Sequence, residues 1–307
     1  MMTGNTARSA SGAERAEDIL RSDWRRGFVG RFLRNPRTVS GLVLVGMIVM
    51  MTLLAGQLAP YDPQHVNPRI RMVLPLSESR EATFHLLGTD QSGRDILSRV
   101  LFGGRVSLGV AVTAVLLAAS FGVSMGILSG YFGGRIDSII MRIADVQLSI
   151  PTILLAIAIA AALGPSLRNL ILVLAVTGWV IFARTVRATT LTLRELTYVE
   201  AARCLGASTG RILWRHVLRN AWTPIIVLAT QQIALMIILE SSLSFIGVGA
   251  PVGTPSWGTM IADGRDYVMT NAWWLTTFPG LAISLTVLGI NFFGDGMRDV
   301  LDPRLQL

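Results

Sequence analysis

The sequence predicts an all-α integral membrane protein of six transmembrane helices. Three observations carry that expectation. Apolar residues make up 51% of the 307-residue chain and charged residues only 15%, against about 25% charged in an ordinary soluble domain, so the charges are too few to cover a surface in water. They gather in a few stretches separated by uncharged runs, as expected where about 20 helical residues cross a hydrocarbon core of about 30 Å. Every one of the 27 basic residues is arginine, and the arginines divide unevenly between the two sets of connecting segments.

Taken in order, residues 1–38 form an arm with eight arginines, Arg8, Arg15, Arg21, Arg25, Arg26, Arg31, Arg34 and Arg37. Its opening dozen residues read as disordered. From Ile19 onward Leu20, Trp24, Phe28, Phe32 and Leu33 recur at helical spacing between arginines, which predicts an interfacial amphipathic helix. A cleaved signal peptide is not expected, because the apolar run begins too late and is too long. Residues 39–104 hold the first span, Val39 to Leu58, which stops at Ala59-Pro60-Tyr61-Asp62, and a polar outer segment. Residues 105–307 hold five more spans. The second runs from Val106 to Gly130, the third from Ile139 past Pro151, which is expected to kink it or start a helix, to Leu163, and the fourth from Leu167 to Arg187. An arginine-rich loop over residues 188–220 precedes the fifth, Trp222 to Gly247, and the sixth runs from Trp273 to Phe293. Trp273 and Trp274 stand where an aromatic belt would anchor that last helix.

Six spans put both termini on one side. That side then holds nineteen arginines and the other eight, so the arginine bias places both termini, and the 188–220 loop, in the cytoplasm. The net charge of +8 is explained by this orientation signal and does not call for nucleic acid. The absence of lysine excludes a P-loop, which needs one at the terminal phosphates, and a Schiff-base nucleophile. The single cysteine, Cys204, allows no internal disulfide. No cofactor and no metal site are expected.

In the inner loop Tyr198, Ala201, Ala202 and Leu205 fall at i, i+3, i+4 and i+7, a narrow small-residue stripe on a short helix that suits a partner's groove. Gly206 ends that helix and Ser208 caps the next. Arg211, Arg215 and Arg219 line one face beyond it. The alternative is a solvated loop whose arginines fix topology alone. Before the second span, Asp90 with Arg94 and Asp95 with Arg99 are i,i+4 pairs opposite Ile96, Leu97, Val100 and Leu101, so this piece is expected as a helix lying flat on the outer surface, for anchoring or for substrate contact. Glu240 follows twenty uncharged residues, Asn220 to Leu239. An acid at depth is a functional candidate by default; near Ser241, Ser242 and Ser244 it is either a structural carboxylate at the outer mouth or partner interface, or a coupling site in a pathway. Asp295, Arg298, Asp299, Asp302 and Arg304 either tie the last helix to its neighbours or form a proton relay.

These residues resemble a family. Glu200-Ala201-Ala202 with Gly206 four residues after the last alanine is similar to the EAA loop of the inner-membrane permeases of binding-protein-dependent ABC importers, through which they dock on their ATPase subunits. Arg219 stands where many relatives have proline. Leu87-Gly88-Thr89-Asp90-Gln91-Ser92-Gly93-Arg94-Asp95 with Ser98-Arg99 resembles the motif before span two in the dipeptide, oligopeptide and nickel group, specifically its second permease. Gly130-Tyr131-Phe132-Gly133-Gly134 with Met141-Arg142 is similar to that group's short inner loop. Pro255-Ser256-Trp257-Gly258, then Gly294-Asp295-Gly296-Met297-Arg298-Asp299, to Asp302-Pro303 is similar to its C-terminal end.

The resemblance implies a type I ABC importer permease in a bacterial inner membrane. It implies docking through Glu200, Ala201, Ala202 and Gly206, a family motif at Gly88, Asp90, Gly93, Arg94 and Asp95, and a non-catalytic chain. The implied partners are a homologous second permease, two ATPase subunits that hydrolyse the ATP, a substrate-binding protein outside, and membrane lipid. Peptides, glutathione and nickel chelates are all carried within the group. Rival readings are an intramembrane hydrolase and a secondary transporter using Glu240. The hydrolase lacks a His-Glu-x-x-His pattern, and its histidines, His65, His85 and His216, all fall in connecting segments. The transporter lacks a visible internal repeat.

Overall fold

A computed structural model of the protein describes Phe32 and residues 35–79, 81–251 and 253–301. The amphipathic helix expected over Ile19 to Leu33 lies outside these residues, Phe32 excepted, as do Asp302 and Arg304.

Apart from short turns, the described chain is helical except in the cap before the second long helix and in the connection between Ile246 and Trp257. Helix α1 (Pro36–Leu53) starts at Asn35, whose side chain accepts from the Arg37 and Thr38 amides, with Pro36 at the position where a missing N–H goes unnoticed. A single turn, α2 (Ala55–Leu58), follows. Residues 59–79 and 81–95 form an irregular cap with one antiparallel hairpin, β1 (Ser77–Glu78) on β2 (Phe84–His85), Ser77 opposite His85. Helix α3 (Ile96–Phe132) has 37 residues and is therefore about 55 Å long at 1.5 Å per residue, longer than the hydrocarbon is thick.

The flat surface helix expected before span two does not form. Gly93 has φ +78°, and the Asp90 side chain accepts from the Ser92 and Arg94 amides at 2.8 and 2.9 Å, which folds residues 90–94 into a turn. Ile96 and Leu101 belong to the first turns of α3 itself and are buried.

The third span also departs from expectation. Helix α4 (Gly134–Leu148) and helix α5 (Thr152–Leu163) meet at a 90° bend. Pro151 supplies no N–H and restricts Ile150 to extended backbone, so one continuous helix cannot pass. Among the described residues, five helices are long and apolar enough to cross a membrane, and the bent pair makes a sixth if it counts as one span.

Helix α6 (Leu167–Arg194) runs seven residues past the expected end. A short helix, α7 (Thr197–Cys204), leads to α8 (Thr209–Ile246), which is unbroken through Arg219 and carries a π segment at Leu213–Leu218. There the Asn220 amide donates to the His216 carbonyl at 2.6 Å, placing a side chain inside the backbone ladder. Helix α9 (Trp257–Gly264) opens on a capping box at Ser256 and Thr259. Helix α10 (Trp274–Leu301) extends beyond the expected Phe293.

The largest interface is α3 against α6. Gly122, Gly126 and Gly130 recur every fourth residue on α3, and a Cβ on them would fall 2.4 Å from the Trp179 carbonyl, 2.6 Å from that of Ala183 and 2.9 Å from that of Arg187. Side chains there would hold the two backbones apart, so the glycines set the packing distance. Val115, Leu170, Leu174, Phe182, Met236 and Ile237 fill the core between α3, α6 and α8. Helix α1 packs on α10 and leaves Val43, Met47, Met50 and Leu53 exposed, the dress of a lipid-facing helix.

Candidate docking loop and buried polar clusters

Helix α7 is held from one side and open on the other. Val199 is fully buried with Ile212 and Val217, packed by Tyr131, Leu193 and Leu213. The Tyr198 hydroxyl accepts from Asn220 at 3.1 Å, and Arg203 donates to the Tyr131 hydroxyl at 3.3 Å while lying over its ring. Glu200, Ala201 and Leu205 are exposed, Leu205 at 89%.

The helix ends as its glycine suggests. Gly206 has φ +81°, its N–H bonds to the Arg203 carbonyl, and the Ala207 N–H bonds to that of Ala202, both at 3.0 Å. This is a Schellman cap, which satisfies the last carbonyls and turns the chain sharply. A Cβ on Gly206 would meet nothing within 4 Å, so the demand for glycine comes from backbone conformation and not from a close neighbour. Ser208 stands at the N-cap of α8 but makes no side-chain cap bond.

Behind the loop, Asp137 on α4 takes a two-pronged bond from Arg187 on α6, Nε at 2.5 Å and Nη2 at 2.6 Å, and a short bond from Ser129 on α3. Arg194 donates to the Gly130 carbonyl at 3.0 Å. A carboxylate with a forked guanidinium is the strong, orientation-specific kind of ion pair, and this one ties the base of α4 to α3 and α6.

At the opposite end of the bundle the segment before α3 forms a second cluster. Asp90, 2% exposed, accepts from Arg94 Nε at 2.6 Å and Arg99 Nη1 at 2.5 Å. Both arginines also reach Asp263 Oδ2 on α9 at 3.2 Å. Asp95 does not pair with Arg99 as its spacing suggested. It caps α3 by accepting from the Ser98 amide and hydroxyl at 2.8 Å, and its other oxygen meets His85 Nδ1 at 2.9 Å. Gly88 and Gly93 both have positive φ, and a Cβ would fall 2.5 Å from the Val73 carbonyl and 1.8 Å from that of Asn67 respectively. The five motif residues thus fold the cap onto the helix start.

Glu240 on α8 is fully buried. It accepts from Ser107 on α3 at 2.9 Å and Ser244 at 2.8 Å, with Ser241 at 3.4 Å. Ser107 in turn accepts from the Trp257 amide at 3.2 Å. The carboxylate therefore sits between α3, α8 and the start of α9, and the neighbouring serines close it in instead of opening it to water. At the inner end Asp299 accepts from Asn35 at 3.4 Å. No group of three His, Cys, Asp or Glu side chains among the described residues could hold a metal ion.

Asp137, Asp263 and Ser107 carry no sequence signal of their ion-pair or carboxylate partners, Arg187, Arg94 and Glu240, which lie 50 to 169 residues away. No local spacing could have signalled them.

Residues 122–307 match the family model described as the binding-protein-dependent transport system inner membrane component, and residues 22–75 match the N-terminal TM domain of oligopeptide transport permease C. The chain is similar to a probable D,D-dipeptide transport system permease protein of Escherichia coli (strain K12), 42% identical over 88% of each chain. It is also similar to a glutathione transport system permease protein of Pectobacterium atrosepticum, 41% identical over 94% of this chain and 93% of the relative. Among solved structures, an inward-facing MetNI methionine ABC transporter chain matches with TM-score 0.53 at 22% identity, over 67% of this chain and 98% of that one. That likeness is one of fold.

Proposed function

This chain belongs to the binding-protein-dependent transport system inner membrane component family, and from that premise we propose that it is the membrane-spanning permease subunit of an ATP-driven importer of short peptides. The observation that carries the reading is α7, buried through Val199 and exposed through Glu200, Ala201 and Leu205. A helix so mounted is a handle: force on its open face passes through Val199 into α3, α6 and α8. The partners on this reading are two ATPase subunits on the loops, a homologous second permease that completes the pathway, and a binding protein on the far side. Both termini are cytoplasmic.

The rest of the chain suits transmission of that force. The glycine contact of α3 with α6 and the Asp137–Arg187 pair lock the inner halves of three helices into one body. ATPase closure then rocks that body against the second permease. Hydrolysis resides in the partner subunits, because this chain has no lysine with which to build a P-loop.

The peptide assignment rests on relatives named for D,D-dipeptides and for glutathione, itself a small peptide. Uptake of a labelled dipeptide and of labelled glutathione into vesicles carrying all subunits tests it. Saturable, ATP-dependent uptake of either is the expected result. A system that ignores both while importing a nickel chelate would show the substrate class to be wrong. Fusing a reporter to the C-terminus checks orientation, and activity on the outer side would refute it.

A further inference from the structure

Arg105, on the third turn of α3, stands where two cavities of different character meet. One, of about 760 Å³, lies at the polar end of the bundle against Ala59, Pro60, Tyr61, Asp62 and Gln64. The other, of about 620 Å³, is an apolar groove between α1, α3, α8 and α10, lined by Val49, Leu53, Leu108, Val112, Ile233 and Phe293. All four of those helices are candidate spans, so the groove runs into the hydrocarbon while the first cavity faces the headgroup region.

The guanidinium is placed with spare capacity. Nε donates to the Thr52 carbonyl at 2.7 Å and Nη2 to the Leu53 carbonyl at 2.6 Å, which fixes the side chain at the C-terminal end of α1. Its Cζ lies over the Phe102 ring, 4.9 Å from the ring centre. None of the ion pairs among the described residues includes Arg105. Its charge is met only by neutral carbonyls and a ring, and Nη1 is left to donate. One helical turn further on, Gly109 is exposed, with nothing within 4 Å of where its Cβ would stand, so α3 itself leaves the groove open.

We propose that this junction binds a glycerophospholipid, with the phosphate on Arg105 and one acyl chain along the groove past Gly109. With Nε and one N–H of Nη2 held by the carbonyls, the end-on edge of the guanidinium, both N–H of Nη1 and the second of Nη2, is the fork left for a phosphate. A site of about 300–1,000 Å³ with apolar walls and a few placed polar groups is the usual form of a small-ligand pocket. The charge at one end and the apolar walls beyond it match the two ends of a lipid, which a peptide or a soluble anion does not. Asp62, lining the headgroup cavity, adds a place for a cationic headgroup.

The test is native mass spectrometry of the assembled transporter, exchanged in detergent with palmitoyl-oleoyl phosphatidylglycerol or with its phosphatidylethanolamine counterpart. Wild-type retention of either lipid, reduced about tenfold by Arg105→Gln and reduced as well by Gly109→Leu, is the expected result. Comparable losses for both lipids identify the shared phosphate, and a preference for phosphatidylethanolamine adds Asp62. Gly109→Ala, which meets open space, keeps wild-type retention. Gly109→Leu also keeps the test alive if Arg105→Gln fails to fold, because it leaves the carbonyl bonds intact. Retention unchanged in Gly109→Leu overturns the proposal. So does release of the second permease by Gly109→Leu with lipid unaffected, since the groove would then seat a partner helix.

Discussion

Arg99 in the first turn of α3 reaches Asp263 at the end of α9 at 3.2 Å, across 164 residues of sequence. The same guanidinium holds Asp90, so one side chain joins the cap, α3 and α9.

Arg99→Leu should therefore destabilise the whole outer end. It leaves Asp90, buried at 2% exposure, with Arg94 and the Ser92 and Arg94 amides as partners, so the cost is that of a lost charged hydrogen bond, about 1.5–3 kcal/mol. Asp263→Asn should cost less, because Asp263 is 37% exposed on its side chain and water can replace part of the bond. Thermal unfolding of the purified transporter should rank Arg99→Leu well below Asp263→Asn, and equal midpoints would remove Arg99 from its linking role.

The α3 to α6 contact makes a steric prediction. A valine at Gly126 places Cβ 2.6 Å from the Ala183 carbonyl, an overlap relieved only by moving two packed backbones. Overpacking of this kind costs about 1–3 kcal/mol or more, and Gly126→Val should fail to accumulate in the membrane. Gly46→Val, on α1 where a Cβ meets nothing within 4 Å, is the control. Equal membrane levels for the two variants would show that α3 and α6 are not packed this closely.

Glu240 separates a structural carboxylate from a coupling one. Its partners are hydroxyls of Ser107, Ser241 and Ser244, which can rotate to accept as well as donate. Glu240→Gln should thus keep the network and near-normal uptake, whereas Glu240→Leu strands the hydroxyls and costs about 1–3 kcal/mol. Uptake abolished in a well-folded Glu240→Gln protein would mean that the charge itself is used.

How far the sequence foresaw this arrangement depended on distance along the chain. Hydropathy is a local property, so the order of the apolar segments was legible but the helix ends were not: α3 starts ten residues before the expected span and α8 thirteen. The bend at Pro151 was legible only as a kink, since the size of the angle depends on what α4 and α5 pack against. Near Asp90 the pair with Arg94 was seen, but the reach of Arg99 to Asp90 and of both arginines to Asp263 was not. The i,i+4 rule assumes a helix, and Gly93 with the Asp90 side chain folds a turn there. Asp95 is short enough to bond the free amides of its own helix start, and that use competes with reaching Arg99. The long-range pairs, Asp137 with Arg187 and Glu240 with Ser107, are set by which helices adjoin. No spacing within one helix carries that information.

Gly206 sets the pose of α7 through its left-handed backbone. Gly206→Val should abolish uptake while leaving the protein inserted and its thermal midpoint little changed. The reason is conformational: φ of +81° is disfavoured for a residue with a Cβ by about 1–2 kcal/mol, and more for a β-branched side chain. With nothing within 4 Å of the added Cβ, no clash spreads into the bundle. The strain instead undoes the Schellman bonds from Gly206 and Ala207 and swings α7 about its Val199 anchor. Gly206→Asn provides the discriminating variant, since asparagine tolerates the left-handed conformation, and it should keep most of the uptake. If α7 were only a solvated loop, all three residues at this position would transport alike, because exposed substitutions away from special features shift stability by less than about 0.5 kcal/mol. Glu200→Lys addresses the exposed face directly. Glu200 lies in the first turn of α7, where a negative charge is favoured by the helix dipole, and reversal also repels a basic partner surface. Retention of the ATPase subunits on purification, measured beside uptake, should fall in Gly206→Val and Glu200→Lys and persist in Gly206→Asn. Full retention and uptake in both impaired variants would leave α7 with no part in docking.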